Sequence, residues 1–577
     1  MTGRQITGNK SRQLSLGLAL IASAALAGLA ACASMGGASA PDTAMTASGP
    51  VKAIERGAMR SYFAVPYAAP PTGDRRWRAP QPAAAWTTAL ANTKSAASCL
   101  QTGDSPFRVN GDSEDCLYLD VHTPTGSGPF PVMVWIHGGA FNTGAASVYS
   151  DPTPLVSKGV IVVGINYRLG AMGFLGHPSF ADTDGSVGNY GIMDQQAALR
   201  WVKANIAQFG GDPKNVTIFG ESAGGFSVMT HLASPLSAGL FNKAIIESGA
   251  YGVSSQLTRA ELEAKSTTIA SKAVTAAIAA GATPSCTADK VTAECLRGLP
   301  ESVLRKELTN AFATGINNPV PSVDGKVLTA TIKDTFIAGQ NNKVPIINGS
   351  NEDEFALFLA MSELAARTKA SPPNLDPTDT RYLMKAAAYP MTVNALTAGG
   401  GLAISGSQLT TTDYPLANYG ADVSLQPSLA ATALATDASF SCNGLNVTSR
   451  IKSQGSPVWM YEFRDQTAIP LVGIINGKYP LSLKQGAAHA AEIPYVFNLH
   501  DMQNAERTDL QKTMSQYWVN FARTGNPNGN GAPKWNDFAS GTVQSLDVAS
   551  GGGVAPMAAS AFATQHKCDG VWKVLTF

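Results

Sequence analysis

Charged residues are scarce in this chain, at 14 % of 577 positions, and the two signs nearly cancel to a net +1. A typical soluble domain carries about a quarter. No basic block stands anywhere in the sequence, so the electrostatic footprint of a nucleic-acid binder is missing. Also absent are an HExxH pair, a P-loop and a dinucleotide-binding glycine fingerprint, so no metal or organic cofactor is implied. Histidine is rare, with seven residues, and each can be weighed individually as a proton carrier. Long apolar runs are missing too, apart from one at the N-terminus.

That run, LSLGLALIASAALAGLA, follows Arg4, Lys10 and Arg12 and leads into Cys32. A positive flank, a short apolar stretch and small residues at its end read as an export signal over residues 1–31, not a spanning helix. The stretch LAAC resembles a bacterial lipobox, which makes Cys32 the lipidated first residue; an ordinary signal cleaved nearby is the other reading. The chain is therefore expected to be exported, as a periplasmic or cell-envelope lipoprotein or as a secreted protein. A lipid on Cys32 would be its membrane attachment. Residues 32–49, small and polar with no period, read as a flexible tether. The seven cysteines are Cys32, Cys99, Cys116, Cys286, Cys295, Cys442 and Cys568. Setting Cys32 aside leaves an even number, which in an oxidising compartment suits three disulfides with about 15 possible pairings.

Residues 50–577 read as one domain without an internal linker or repeat. PVMVWIHGG and GVIVVGINYR are continuous apolar runs of the kind that form strands buried on both faces. NYGIMDQQAALRWVKANIAQFGG has helical spacing, with Asp194 expected in its first turn and Gly210 and Gly211 as its stop. NVTIFG, FNKAIIESG, PIINGS and PVWMYEFRD supply further strands. This βαβ rhythm predicts an α/β fold with a mostly parallel sheet covered on both faces. Cap or lid insertions are expected roughly within 255–470, and residues 365–440 are polar and weakly periodic.

TIFGESAGGFS places Ser222 between Gly220 and Gly224, after a strand and before an amphipathic stretch. A lone G-x-S-x-G is common by chance; the strand–turn–helix context is what makes it a nucleophile elbow. A helix N-cap would also use a serine, but it would not need glycines on both sides. A sharp turn leaves no room for side chains there, and the helix N-terminus aims backbone donors at the charge that develops during attack.

Serine needs a base. The chain order Ser, acid, His found in α/β-hydrolases leaves His489, His500 and His566. His489 lies in KQGAAHAAEIPYVF, a loop of small residues from which an imidazole can project, and is preferred; the other two read as surface or structural. The acid is expected in VPIINGSNEDEF, where Glu352, Asp353 and Glu354 are not separable by pattern. WIHGGAF follows a strand, and its glycines leave backbone N–H groups open for an oxyanion hole, with His137 shaping the loop.

Together these motifs resemble the type-B carboxylesterases, the cholinesterase-like branch of the α/β-hydrolase fold. The resemblance spans nearly all of the mature chain and rests on YFAVPYAAPPTGDRRWRAPQP, SEDCLYLDV, HGGAF, GESAGG and FARTGNPNG, in that order. It implies hydrolysis of small to medium carboxylic esters by Ser222, Glu354 and His489 through an acyl-enzyme. It also implies oxyanion donors at Gly139, Ala140 and Ala223, and disulfides Cys99–Cys116, Cys286–Cys295 and Cys442–Cys568. Two departures stand out. The loop LQTGDSPFRVNGDSED is shorter than in cholinesterases and holds only Phe107 as an aromatic, so a cation–π site for choline is unsupported. Ala140 replaces a glycine, which narrows the hole without removing its N–H. Two alternatives stay open: a non-catalytic binding or adhesion module on the same fold, whose members typically lose the serine, and a lactone or amide hydrolase using the same residues.

Overall fold

The computed structural model describes residues 42–101, 108–181, 185–253, 256–308, 319–374, 376–398, 404–469 and 481–575. The export signal, Cys32, most of the tether and Phe107 lie outside the described residues.

The N-terminal half supplies strands β1 (Thr43–Met45), β2 (Pro50–Lys52), β3 (Ile54–Arg56), β4 (Met59–Pro66), β5 (Ser98–Cys99), β6 (Asp112–Ser113) and β7 (Tyr118–Pro124). β8 (Phe130–Ile136), β9 (Ile161–Ile165), β10 (Gly211–Glu221) and β11 (Lys243–Glu247) follow, then β12 (Ile346–Asn351), β13 (Val458–Phe463), β14 (Thr542–Leu546) and β15 (Ala555–Ala558). The helices that matter below are α1 (Tyr190–Asn205), α2 (Ala223–Ala233), α3 (Arg259–Ala279), α4 (Ala356–Lys369), α5 (Gln426–Thr436), α6 (Cys442–Ser453) and α7 (Ala505–Thr524).

Eleven strands form one sheet in the order β15-β14-β13-β12-β11-β10-β8-β9-β7-β4-β3. From β9 to β14 every neighbouring pair is parallel, and antiparallel strands close both ends. The expected α/β-hydrolase architecture, mostly parallel and clad in helices, is what forms. The apolar runs show why. Along β8, Val132, Val134 and Ile136 join the core on one face, while Met133 and Trp135 join the core on the other. A strand so placed has no polar side to show.

The expectations shift in three places. Asp194 does not complement the start of α1. It is fully buried and grips Arg168 with both oxygens, at 2.7 Å each, tying α1 to the segment after β9. The tether is also shorter than its composition suggests. β1 pairs antiparallel with β2, Ala44 is buried, and the Ala47 N–H reaches Asn205 Oδ1 at 2.8 Å. Finally, the polar region before residue 440 is helical and packs Tyr389, Leu409, Tyr414, Leu434 and Trp572 into a small core of its own. Alanine-rich helices carry little amphipathic contrast, so periodicity understates them.

Three disulfides form: Cys99–Cys116, Cys286–Cys295 and Cys442–Cys568. They are the pairings the resemblance implied.

Candidate active site

The carboxyl ends of adjacent parallel strands converge on one spot, the usual binding edge of an open α/β sheet. β10 delivers Ser222 there, β12 delivers Glu354, the loop beyond β13 brings His489, and β8 runs into the loop 137–144.

Ser222 has φ 56° and ψ −122°, a conformation that non-glycine residues rarely adopt and that costs on the order of 1–3 kcal/mol. Its N–H bonds to the Glu247 carbonyl at 2.9 Å, and its own carbonyl accepts from Phe226 at 2.8 Å, so both sides of the turn are held. Although Ser222 occupies the N-cap position of α2, its side chain makes no capping bond. The flanking glycines are needed for closeness. A Cβ at Gly220 would sit 2.6 Å from the Ile136 carbonyl oxygen, one at Gly224 would fall onto that same oxygen, and one at Gly225 would lie 2.7 Å from the Glu247 carbonyl. These obstacles are backbone and cannot swing aside. Gly224→Ala is therefore expected to lower unfolding stability by about 3 kcal/mol, read as a lower denaturant midpoint at unchanged slope.

Of the three candidate acids, only Glu354 meets the imidazole. Its Oε2 lies 2.5 Å from His489 Nδ1. Its Oε1 accepts from Ser248 Oγ at 2.5 Å and from the Asn351 N–H at 2.8 Å. Glu352 turns instead to Arg464, and Asp353 to Gln466 and the Ala487 N–H. His489 Nε2 faces Glu221, with Oε1 3.0 Å away but not aligned as a hydrogen bond. Among the described residues no hydrogen bond joins His489 to Ser222. Burial works against charge on His489, but the carboxylates of Glu221 and Glu354 outweigh it and hold its pKa well above the ordinary value. Phe358 and Phe440 pack on the same ring, at centroid distances of 5.3 and 5.1 Å.

The loop after β8 bends through three consecutive positive-φ residues, Gly139, Ala140 and Phe141. Ala140 at φ 53° takes on strain that a glycine there would escape. Gln101 braces the bend, accepting from Thr143 Oγ1 and the Gly144 N–H and donating to the Gly144 carbonyl. His137 stacks on Tyr167, its Nδ1 lies beside the Gly138 carbonyl, and burial pushes its pKa down to about 4, so it is neutral scaffolding. Among the described residues, the backbone N–H groups of Gly139, Ala140 and Ala223 find no acceptor. Three open donors beside Ser222 are what an oxyanion hole requires.

The other late histidines stay away. His500 is half-exposed beside the Asp501 carbonyl. His566 is buried, with Nδ1 2.5 Å from Asp437 and Nε2 2.5 Å from Glu462. Burial opposes its charge, yet those hydrogen bonds raise its pKa to about 10.

Several members of this cluster escaped the sequence. Ser248, Asn351, Tyr251, Phe358 and Phe440 carry no motif. Glu221 stood in plain view beside Ser222, but its approach to His489 exists only once β10 and the loop after β13 are side by side.

Comparison with known proteins identifies the family. The sequence model of the carboxylesterase family matches residues 44–567. Liver carboxylesterase 1 of Oryctolagus cuniculus is 35 % identical over 90 % of this chain and 92 % of its own. Para-nitrobenzyl esterase of Bacillus subtilis (strain 168) is 34 % identical over 87 % and 93 %, and fumonisin B1 esterase of Sphingopyxis macrogoltabida 33 % over 85 % and 84 %. A solved PNB esterase structure superposes with a TM-score of 0.70 at 29 % identity, covering 91 % of this chain and 99 % of that one. The chain belongs to the carboxylesterase family, enzymes that hydrolyse carboxylic esters.

Proposed function

We propose that this protein hydrolyses small to medium carboxylic esters through a Ser222–His489–Glu354 triad and an acyl-enzyme. The observation that carries the reading is a buried imidazole already bonded to Glu354 at 2.5 Å, at the same strand-end edge as Ser222 strained in its elbow.

Ser222 Oγ attacks the ester carbonyl as His489 Nε2 takes its proton. Among the described residues Nε2 is buried and without an aligned partner, so it has a free lone-pair direction for that proton once it is neutral. Hydrogen bonds of this kind often lengthen in the empty site and tighten around substrate. The tetrahedral oxyanion collects the open N–H groups of Gly139, Ala140 and Ala223. His489 then hands its proton to the departing alcohol, and water, deprotonated in the same way, releases the acid. Glu354 keeps Nδ1 protonated throughout. A binding-module reading is disfavoured because hydroxyl, imidazole and carboxylate are all present and positioned. The test is steady turnover of p-nitrophenyl butyrate with a covalent acyl or phosphonyl adduct on Ser222. An adduct on another residue, or turnover surviving in Ser222→Ala, defeats the proposal.

The carboxylates around His489 set a pH dependence. A raised pKa means the imidazolium persists to higher pH, so the neutral base appears, and kcat/KM rises, only as pH climbs through that value. Glu221→Gln removes the first of the two opposing charges. The alkaline-going rise of kcat/KM is expected to move to lower pH, with the lower plateau rate reporting any separate loss. An unmoved profile would show that Glu221 does not govern the base.

A further inference from the structure

A second histidine held by carboxylates lies behind the first. His566, from the C-terminal segment, faces Asp437 on one side and Glu462 of β13 on the other, each at 2.5 Å and each buried. With a carboxylate on both nitrogens, both must donate, which makes the ring an imidazolium. Asp437 opens a single π turn, Asp437–Ser441, inserted between α5 and α6. Such turns are rare and often mark functional positions. Phe440 belongs to this turn, and its ring touches His489 at 5.1 Å and Tyr251 at 5.4 Å. Thr436, one residue before the turn, accepts the Phe355 N–H at 3.0 Å, immediately after Glu354 in the chain.

The turn is pinned from several directions. Tyr414 donates to the second oxygen of Asp437 at 2.6 Å and accepts from the Trp572 indole at 2.5 Å. Cys442, the first residue of α6, is joined to Cys568, two positions beyond His566. Arg464 approaches the far oxygen of Glu462 at 3.6 Å, and Lys567 lies over the Tyr414 ring. None of these groups touches the reacting atoms.

We propose that Asp437, His566 and Glu462 form a positioning unit for catalysis, in which the buried imidazolium fixes the π turn so that Phe440 holds His489 and Tyr251 in place. A side chain displaced by about 1 Å through a remote change can cost up to a hundredfold in rate, so a clamp on the wall of the base has leverage. The inference rests on His489 being the base, and its test is kept separate from that question.

The test compares kcat and KM for p-nitrophenyl acetate in His566→Gln, Phe440→Leu and the double variant, at a temperature where each is fully folded by near-UV circular dichroism. His566→Gln is expected to lower kcat about tenfold with KM within about twofold of wild type. In the Phe440→Leu background the same substitution is expected to cost less than about twofold, because the part it positions is gone. An unchanged kcat in His566→Gln, or an equal loss in both backgrounds, overturns the proposal. If His566→Gln does not fold, Tyr414→Phe removes one donor from Asp437 and carries the same comparison with a smaller loss, overturned by the same two results. Turnover remaining in Ser222→Ala would instead remove the triad itself, so the two failures are distinguishable.

Discussion

Ser222→Ala is expected to lower kcat for p-nitrophenyl butyrate by about 10⁵-fold or more, while the protein folds and melts as wild type. Alanine keeps the Cβ, so the strain at φ 56° is the same in both proteins and the substitution acts on chemistry alone. On the proposed mechanism the loss is large because the hydroxyl, the imidazole and the carboxylate would act as a unit, and removing one would idle the other two. It is not total: the open N–H groups of Gly139, Ala140 and Ala223 still polarise a bound carbonyl, and a residual rate of about 10³ over water is typical of such a hole working alone. Steady-state kinetics with an active-site titration measures this. A variant retaining more than about a tenth of wild-type kcat would place the nucleophile elsewhere.

Glu354→Gln is expected to cost about 10⁴-fold in kcat with little change in KM, and the surroundings say how. Oε1 receives two donors, the Ser248 hydroxyl and the Asn351 N–H, so that corner must remain an oxygen. The glutamine NH₂ is thereby forced into the corner facing His489 Nδ1, where it donates instead of accepting. The imidazole then keeps its proton on Nε2, the nitrogen that in the proposed mechanism takes one from Ser222. The variant is thus a tautomer trap. Raising pH cannot rescue it, because the neutral ring itself carries the proton in the wrong place. A kcat restored at high pH would contradict the hydrogen-bond pattern around Oε1.

The parallel half of the sheet was readable because a strand buried on both faces must be largely apolar, and the runs ending at Ile136, Ile165 and Gly220 have little other use. The antiparallel ends were not: β3 spans three residues with Glu55 and Arg56 exposed, and β15 alternates between half-buried and exposed, so neither carries a strong period. Ser222 announced itself through the glycines its neighbours demand. Glu354 did not by pattern, since Glu352, Asp353 and Glu354 share composition and loop; only the family resemblance singled it out. What separates them is the course of the chain leaving β12, which returns Glu354 to the Asn351 N–H and sends Glu352 to Arg464. His566 looked structural beside Cys568, and its two carboxylate partners come from segments more than a hundred residues upstream.

The longest covalent ring in the molecule runs from Cys442 to Cys568, a span of 126 residues. By chain-entropy arithmetic a closure of this size contributes on the order of 5 kcal/mol. The imidazole lies within that ring, whereas the hydroxyl and the carboxylate that serve it are anchored outside. Because that entropy belongs to the unfolded chain, opening the ring in a reducing milieu lowers the stability of the whole fold and not of the imidazole's segment alone. Material made without an oxidising step is expected to unfold at a lower denaturant midpoint, with turnover lost together with the fold.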